Sequence, residues 1–155
     1  VLRLLDPPPG EPLWAGGATP LGCLRGVDHR QAAWRPAAGR HSIWEFALHV
    51  AYWKYAVRRK IEGAEKRGFP RTPSNWPRLP DPADAAAWKD DRALLRDEHR
   101  RLVEAVRAFD PARLDERLPD GRSYRYADYL FGIVTHDAYH VAQIQLVKRL
   151  YQSRS

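Results

Sequence analysis

The chain has 155 residues, enough for one domain with a hydrophobic core of its own. Hydrophobic residues make up 44% of it and charged residues 29%, a globular mixture that excludes a disordered chain. A net charge of +7 raises the question of nucleic acid. The basic residues, however, are scattered singly and in pairs such as Arg58-Arg59 and Arg100-Arg101 among Asp90, Asp91, Asp97 and Glu98, which is the pattern of a solvated helix face.

No apolar run approaches the ~20 residues that span a bilayer, and no charged-then-apolar leader opens the chain. With a lone cysteine, Cys23, that has no partner for an internal disulfide, the expectation is a cytoplasmic protein away from membranes. Cys23 is expected to be a small buried hydrophobe and not a metal ligand.

Residues 1–18 are rich in proline and glycine and are expected to be irregular. Thr19-Pro20 places a cap before a proline and predicts a short helix over residues 21–27. Asp28 with Gln31 predicts a further turn running to Trp34. Ser42 and Glu45 form an S-x-x-E capping box, and a helix is predicted from there to about Lys66. From Ile43 to Val57 the exceptions to an apolar sequence are Glu45, His49 and Lys54, as befits a central, buried helix.

Residues 68–80 carry Pro70, Pro73, Pro77 and Trp76, and read as a crossover travelling the length of the domain. Asp81-Pro82 predicts a helix lasting to about Phe109, where Asp110-Pro111 stops it. Its inner stripe is Trp88, Leu95, Leu102, Val106 and Phe109, with His99 among them, read first as a core histidine and only second as a fourth metal ligand. Ser123 is expected to open a last helix running to Gln152, with Tyr129, Ile133, His136, His140, Ile144, Val147 and Tyr151 on its stripe. Nothing reads as a strand, so the chain is a single all-α domain over residues 1–155, a four-helix bundle with a short or irregular first helix.

His136 and His140 stand one turn apart on an apolar helix face, a spacing at which both imidazoles can reach one ion. The segment reads His136-Asp137-Ala138-Tyr139-His140, with aspartate where zinc proteases carry glutamate, so that mechanism is not implied. Two imidazoles need a third ligand from another helix. His49 is the candidate, because it sits among Phe46, Tyr52 and Trp53 where an unpaired polar ring is costly. The competing reading is three core histidines, each hydrogen-bonded to a neighbour. Asp137 has two readings as well: an exposed helix aspartate, or a group that orients a ligating histidine or serves as base. Glu45 is accounted for by its capping box, and His29 and His41 are expected at the surface.

Two stretches resemble the DinB/YfiT-like family of bacterial metal-binding helical bundles. They are Ser42-Ile43-Trp44-Glu45 continuing to His49-Val50-Ala51-Tyr52-Trp53, and His136-Asp137-Ala138-Tyr139-His140 with Gln143-Ile144. Trp34-Arg35-Pro36, Asn75-Trp76-Pro77 and Trp88-Lys89-Asp90 are similar to one subgroup, so the resemblance runs from about Leu13 to Tyr151. It implies an up-down-down-up bundle and a divalent ion, often nickel or zinc, on histidines matching His49, His136 and His140. It also implies frequent dimers, and thiol-dependent transferases and isomerases among the characterised members. The family's first helix is usually long, whereas residues 7–17 interrupt it here.

The functional expectation is a metal-dependent enzyme acting on a small molecule, with a low-molecular-weight-thiol S-transferase as its specific form. The alternative is a non-enzymatic metal-binding stress-response protein, and nucleic-acid binding ranks below both.

Overall fold

The computed structural model describes residues 1–8, 10, 18–63, 68–119 and 122–154. Five α-helices follow one another: α1 (Leu2–Leu5), α2 (His29–Ala33), α3 (Ile43–Ile61), α4 (Ala85–Ala108) and α5 (Tyr126–Gln152). Among the described residues there is no strand, only an isolated antiparallel bridge between Arg117 and Arg125. The all-helical expectation holds.

The long helices differ from expectation mainly at their ends, and local caps explain each difference. The Ser42 hydroxyl accepts from the Glu45 N–H while the Glu45 carboxylate accepts from the Ser42 N–H, so α3 starts where its capping box predicts. It ends at Ile61 and not near Lys66, because Gly63 takes up φ +62, the left-handed geometry that closes helices. The rest of the predicted extension, residues 64–67, lies outside the described residues.

Helix α4 begins at Ala85, three residues past the predicted Pro82, because the Asp84 carboxylate accepts the N–H of Ala87 and is the effective cap. Helix α5 begins at Tyr126 and not at Ser123, and the Asp128 carboxylate takes the Arg125 N–H at 2.7 Å.

The N-terminal part is less uniform than its proline content predicts. Leu2–Leu5 is helical and buries Leu5, while residues 11–17 lie outside the described residues. The predicted helix over 21–27 shrinks to a 3₁₀ turn, Gly22–Leu24, held by the Thr19 hydroxyl on the Gly22 N–H. Asp28 caps α2 through the Gln31 N–H as expected.

Contacts fix how the long helices run. Trp44 near the start of α3 bonds Asp91 near the start of α4, and Arg58 farther along α3 bonds Glu98 farther along α4, so the two helices are parallel. Helix α5 is antiparallel to both, since Trp44 shares a cluster with Ile144 while Val57 shares one with Leu130.

Two apolar clusters result. One holds Trp44, Leu48, Trp88, Leu95 and Ile144; the other holds Val57, Leu102, Val106, Leu130 and Ile133. Burial of these side chains supplies the main stabilisation, about 1.5–3 kcal/mol for each large one. Between the clusters lies a polar layer in which fully buried Lys54 donates to Asp137 at 2.5 Å. The crossover from α3 to α4 is pinned by Arg71, whose guanidinium meets the buried Asp91 carboxylate at 2.6 Å.

Candidate metal centre

The polar layer between the apolar clusters also brings three imidazoles together. Helix α3 supplies His49, and α5 supplies His136 and His140 one turn apart. One ligating nitrogen from each lies within 4.8 Å of the other two, and among the described residues this is the one such group of histidine, cysteine and carboxylate side chains. His49 faces the α5 pair, as the sequence reading required.

The outer nitrogens decide which inner ones are bare. His49 Nδ1 lies 2.6 Å from the Asn75 carbonyl, which can only accept, so Nδ1 carries the proton and Nε2 presents a lone pair. His140 Nδ1 donates in the same way to Gln143 Oε1 at 2.7 Å, leaving its Nε2 bare. His136 Nε2 lies 3.1 Å from His49 Nε2. Two such nitrogens sit this close only with something positive between them, a shared proton or a shared ion. For two nitrogens on one zinc at about 2.0–2.1 Å, the separation is about 2.9 Å at a right angle and about 3.3 Å at the tetrahedral angle. The observed spacing falls between those limits. His136 Nδ1 is buried without a hydrogen-bond partner among the described residues, so two of the three rings are oriented from outside and the third is held by packing.

Burial keeps the set neutral. It pushes His49 down to about 4, with the nearby His140 and His41 adding to it and the Asn75 bond opposing. Burial, then His140, His49 and Lys54, push His136 down to about 3. His140 is lowered too, by burial, with the Gln143 bond working the other way. Neutral imidazole is the form that binds a metal. The residues present therefore fit a divalent ion.

The crossover forms one wall. Trp76 lies between two imidazoles, stacked on His49 at 3.8 Å between centroids and on His41 at 3.9 Å. His41 is thus more than the surface residue expected: it is half-buried and its Nδ1 is 3.5 Å from the Glu45 carboxylate. Trp53, one turn after His49, has its ring 5.7 Å from that of His136. It also lines a cleft of about 990 Å³ together with Tyr52, Phe69 and Tyr129.

His99 stays outside the cluster; it is half-buried on α4, with Nδ1 lacking a partner among the described residues. Of the two readings of Asp137 the exposed one fails, since its carboxylate is buried and bonds Lys54 and not a histidine. Cys23 is buried outside the group and its thiol donates to the Pro20 carbonyl.

Asn75, Trp76 and Gln143 had stood in the quoted motifs without a role. For Gln143 a signal existed, because a residue three after His140 lies on the same helix face. For Asn75 none did, because it acts through a backbone carbonyl.

The DinB superfamily model matches residues 20–144, and the chain belongs to that superfamily. No curated protein and no solved structure matches it at significance.

Proposed function

We propose that the Nε2 atoms of His49 and His140 and a ring nitrogen of His136 hold one divalent ion, zinc or nickel. We propose further that the site serves a metal-dependent reaction on a small molecule. The observation that carries this is the pairing of two inward, bare Nε2 atoms with outer Nδ1–H groups fixed by Asn75 and Gln143. Metal-ligating histidines are held in this way, the outer N–H of each ring fixed by an acceptor so that the inner nitrogen is free to ligate. Three neutral ligands leave the charge of an ion undiminished and at least one position open, the arrangement of catalytic zinc sites. An ion bound there acts as a Lewis acid and lowers the pKa of a bound water or thiol.

The chain's own groups do the rest. Asn75 and Gln143 set the tautomers, burial keeps the imidazoles neutral, and Trp76 stacks on the face of the His49 ring. The aromatic cleft beyond Trp53 has the size of a small-molecule site. A low-molecular-weight thiol as co-substrate, and S-transfer as the reaction, follow from the family likeness. So does the up-down-down-up form of the bundle, with α1, the 3₁₀ turn and α2 in place of the first helix.

Metal analysis of tag-free protein tests the ligand set. About one equivalent of zinc or nickel is expected, with His49→Ala, His136→Ala and His140→Ala each stripped of it. Wild-type protein that takes up no stoichiometric metal refutes the reading. Turnover by loaded protein with thiols and electrophiles then separates an enzyme from a metal-binding protein without activity.

A further inference from the structure

The cleft beside the histidines is a trough with two unlike ends. Its floor is one face of α3, where Tyr52, Ala56 and Arg59 recur at intervals of four and three. Ala56, the smallest of the three, leaves room between the two larger side chains. The crossover forms one side with Phe69, and the start of α5 with the segment before it forms the other with Tyr129 and Arg122.

The end nearer the histidines is aromatic. Trp53, whose ring lies 5.7 Å from that of His136, stands there with Tyr52 and Phe69, themselves 5.6 Å apart between ring centroids. Two turns farther along α3, about 10 Å away, the lining turns cationic. Arg59 and Lys60 are half-buried there, the Lys60 ammonium 4.8 Å from the centroid of the Tyr129 ring, and Arg122 joins them from the segment before α5. Among the described residues one carboxylate lines the cleft, that of Asp128, and it accepts the Arg125 N–H at 2.7 Å. Glu62 lies outside the lining, 2.9 Å from Arg58 and 4.0 Å from Arg59. Arg71 also lines the cleft, but its guanidinium is committed to Asp91.

We propose that the cleft binds an elongated organic anion, its apolar body against Trp53, Tyr52 and Phe69 and its charged group at Arg59, Lys60 and Arg122. Three cations facing one carboxylate favour an anion, and partial burial makes their bonds to it less weakened by water. The aromatic rings give a flat apolar body a surface to stack on. An uncharged molecule of the same shape satisfies one end of the trough only, and a small inorganic anion only the other. The inference deepens the proposed reaction and rests on it for one element alone, the placing of the reacting end of the molecule beside Trp53 and the histidines.

Calorimetric titration of the full chain, freed of metal by chelation and dialysis, tests the charge preference. Biphenyl-4-carboxylate, which matches the length of the trough, is expected to bind about tenfold tighter than biphenyl-4-carboxamide. Lys60→Met with Arg122→Gln is expected to bring the two probes level, with helical circular dichroism and metal uptake as in the wild type. Ala56→Phe, which fills the floor, is expected to weaken both probes about tenfold. Equal binding of acid and amide by the wild type, a preference that survives the double variant, or no binding of the acid at about 1 mM overturns the proposal.

Nuclear magnetic resonance with cobalt(II)-loaded protein tests the orientation, since a paramagnetic ion broadens most the probe protons nearest to it. The ring far from the carboxylate is expected to broaden most. Strongest broadening beside the carboxylate puts the anion at the histidines and overturns the proposal. The two readings fail separately. Protein that prefers the acid but takes up no metal refutes the proposed reaction and leaves the anion site standing, whereas protein that takes up metal and ignores the charge of the probe refutes the anion site alone.

Discussion

Gln143 holds His140 from behind: its side-chain oxygen accepts from His140 Nδ1 at 2.7 Å, three residues along the same helix. With that bond in place the Nε2 lone pair points at His49 and His136, and without it the ring is free to turn and to change tautomer. Gln143→Ala is therefore expected to cost about 10–100-fold in metal affinity while leaving the fold intact. Competition against a chromophoric chelator measures it. An unchanged affinity means that packing alone orients His140.

The histidine set was legible because helical periodicity converts sequence spacing into geometry. His136 and His140 had to share a face, and that face was apolar. Placing His49 with them took a second argument, the cost of an unpaired ring in the most buried helix. What stayed hidden depends on the path of the chain. Asn75 reaches His49 through a carbonyl in the crossover, and no property of an asparagine side chain announces that. The start of α4 was misread because Asp81-Pro82 and Asp84 are both good caps, and local preference cannot rank two caps three residues apart. Asp137 looked as though it could be a surface residue because its partner lies 83 positions away.

That partner, Lys54, carries the next prediction. Lys54 is fully buried and Asp137 nearly so, and the second carboxylate oxygen of Asp137 has no partner among the described residues. Removing one charge strands the other in the interior, which costs about 3–5 kcal/mol; replacing both by apolar residues avoids that cost. Lys54→Met is expected to destabilise strongly in urea unfolding. The double variant Lys54→Met with Asp137→Leu is expected to regain most of the loss. If the double variant is as unstable as the single one, the pair is doing more than neutralising itself.

Cys23 has the opposite character, an ionisable group that the fold keeps silent. Burial pushes its thiol up to about 12, only partly offset by the nearby Lys148, so the reactive thiolate is scarce at neutral pH. In native protein it is expected to react with a thiol reagent only after unfolding. Cys23→Ala is expected to keep full metal content. Rapid labelling under native conditions, or loss of metal in the variant, contradicts this placement.

The buried imidazoles set how stability depends on pH in metal-free protein. His49 and His99 are pushed down to about 4 and His136 to about 3, in each case chiefly by burial, from an ordinary value of 6.5. Folded-state values lie below those of the unfolded chain, so between them the unfolded chain binds more protons. The linkage sign follows: stability rises with pH across this window. The contribution of these histidines is complete above about 6.5 and is lost as the pH falls through about 4 and then 3. With chelator present, urea midpoints are expected to fall steadily from pH 7 to pH 4.5. The slope is expected to correspond to roughly two to three protons taken up on unfolding near pH 5. His99→Gln separates the α4 histidine from the metal centre, since it should remove about one of those protons and leave metal binding unchanged. A midpoint that is flat over this range, or a His99→Gln variant that loses its metal, contradicts the assignment of His99 to the core and of the other histidines to a neutral, buried site.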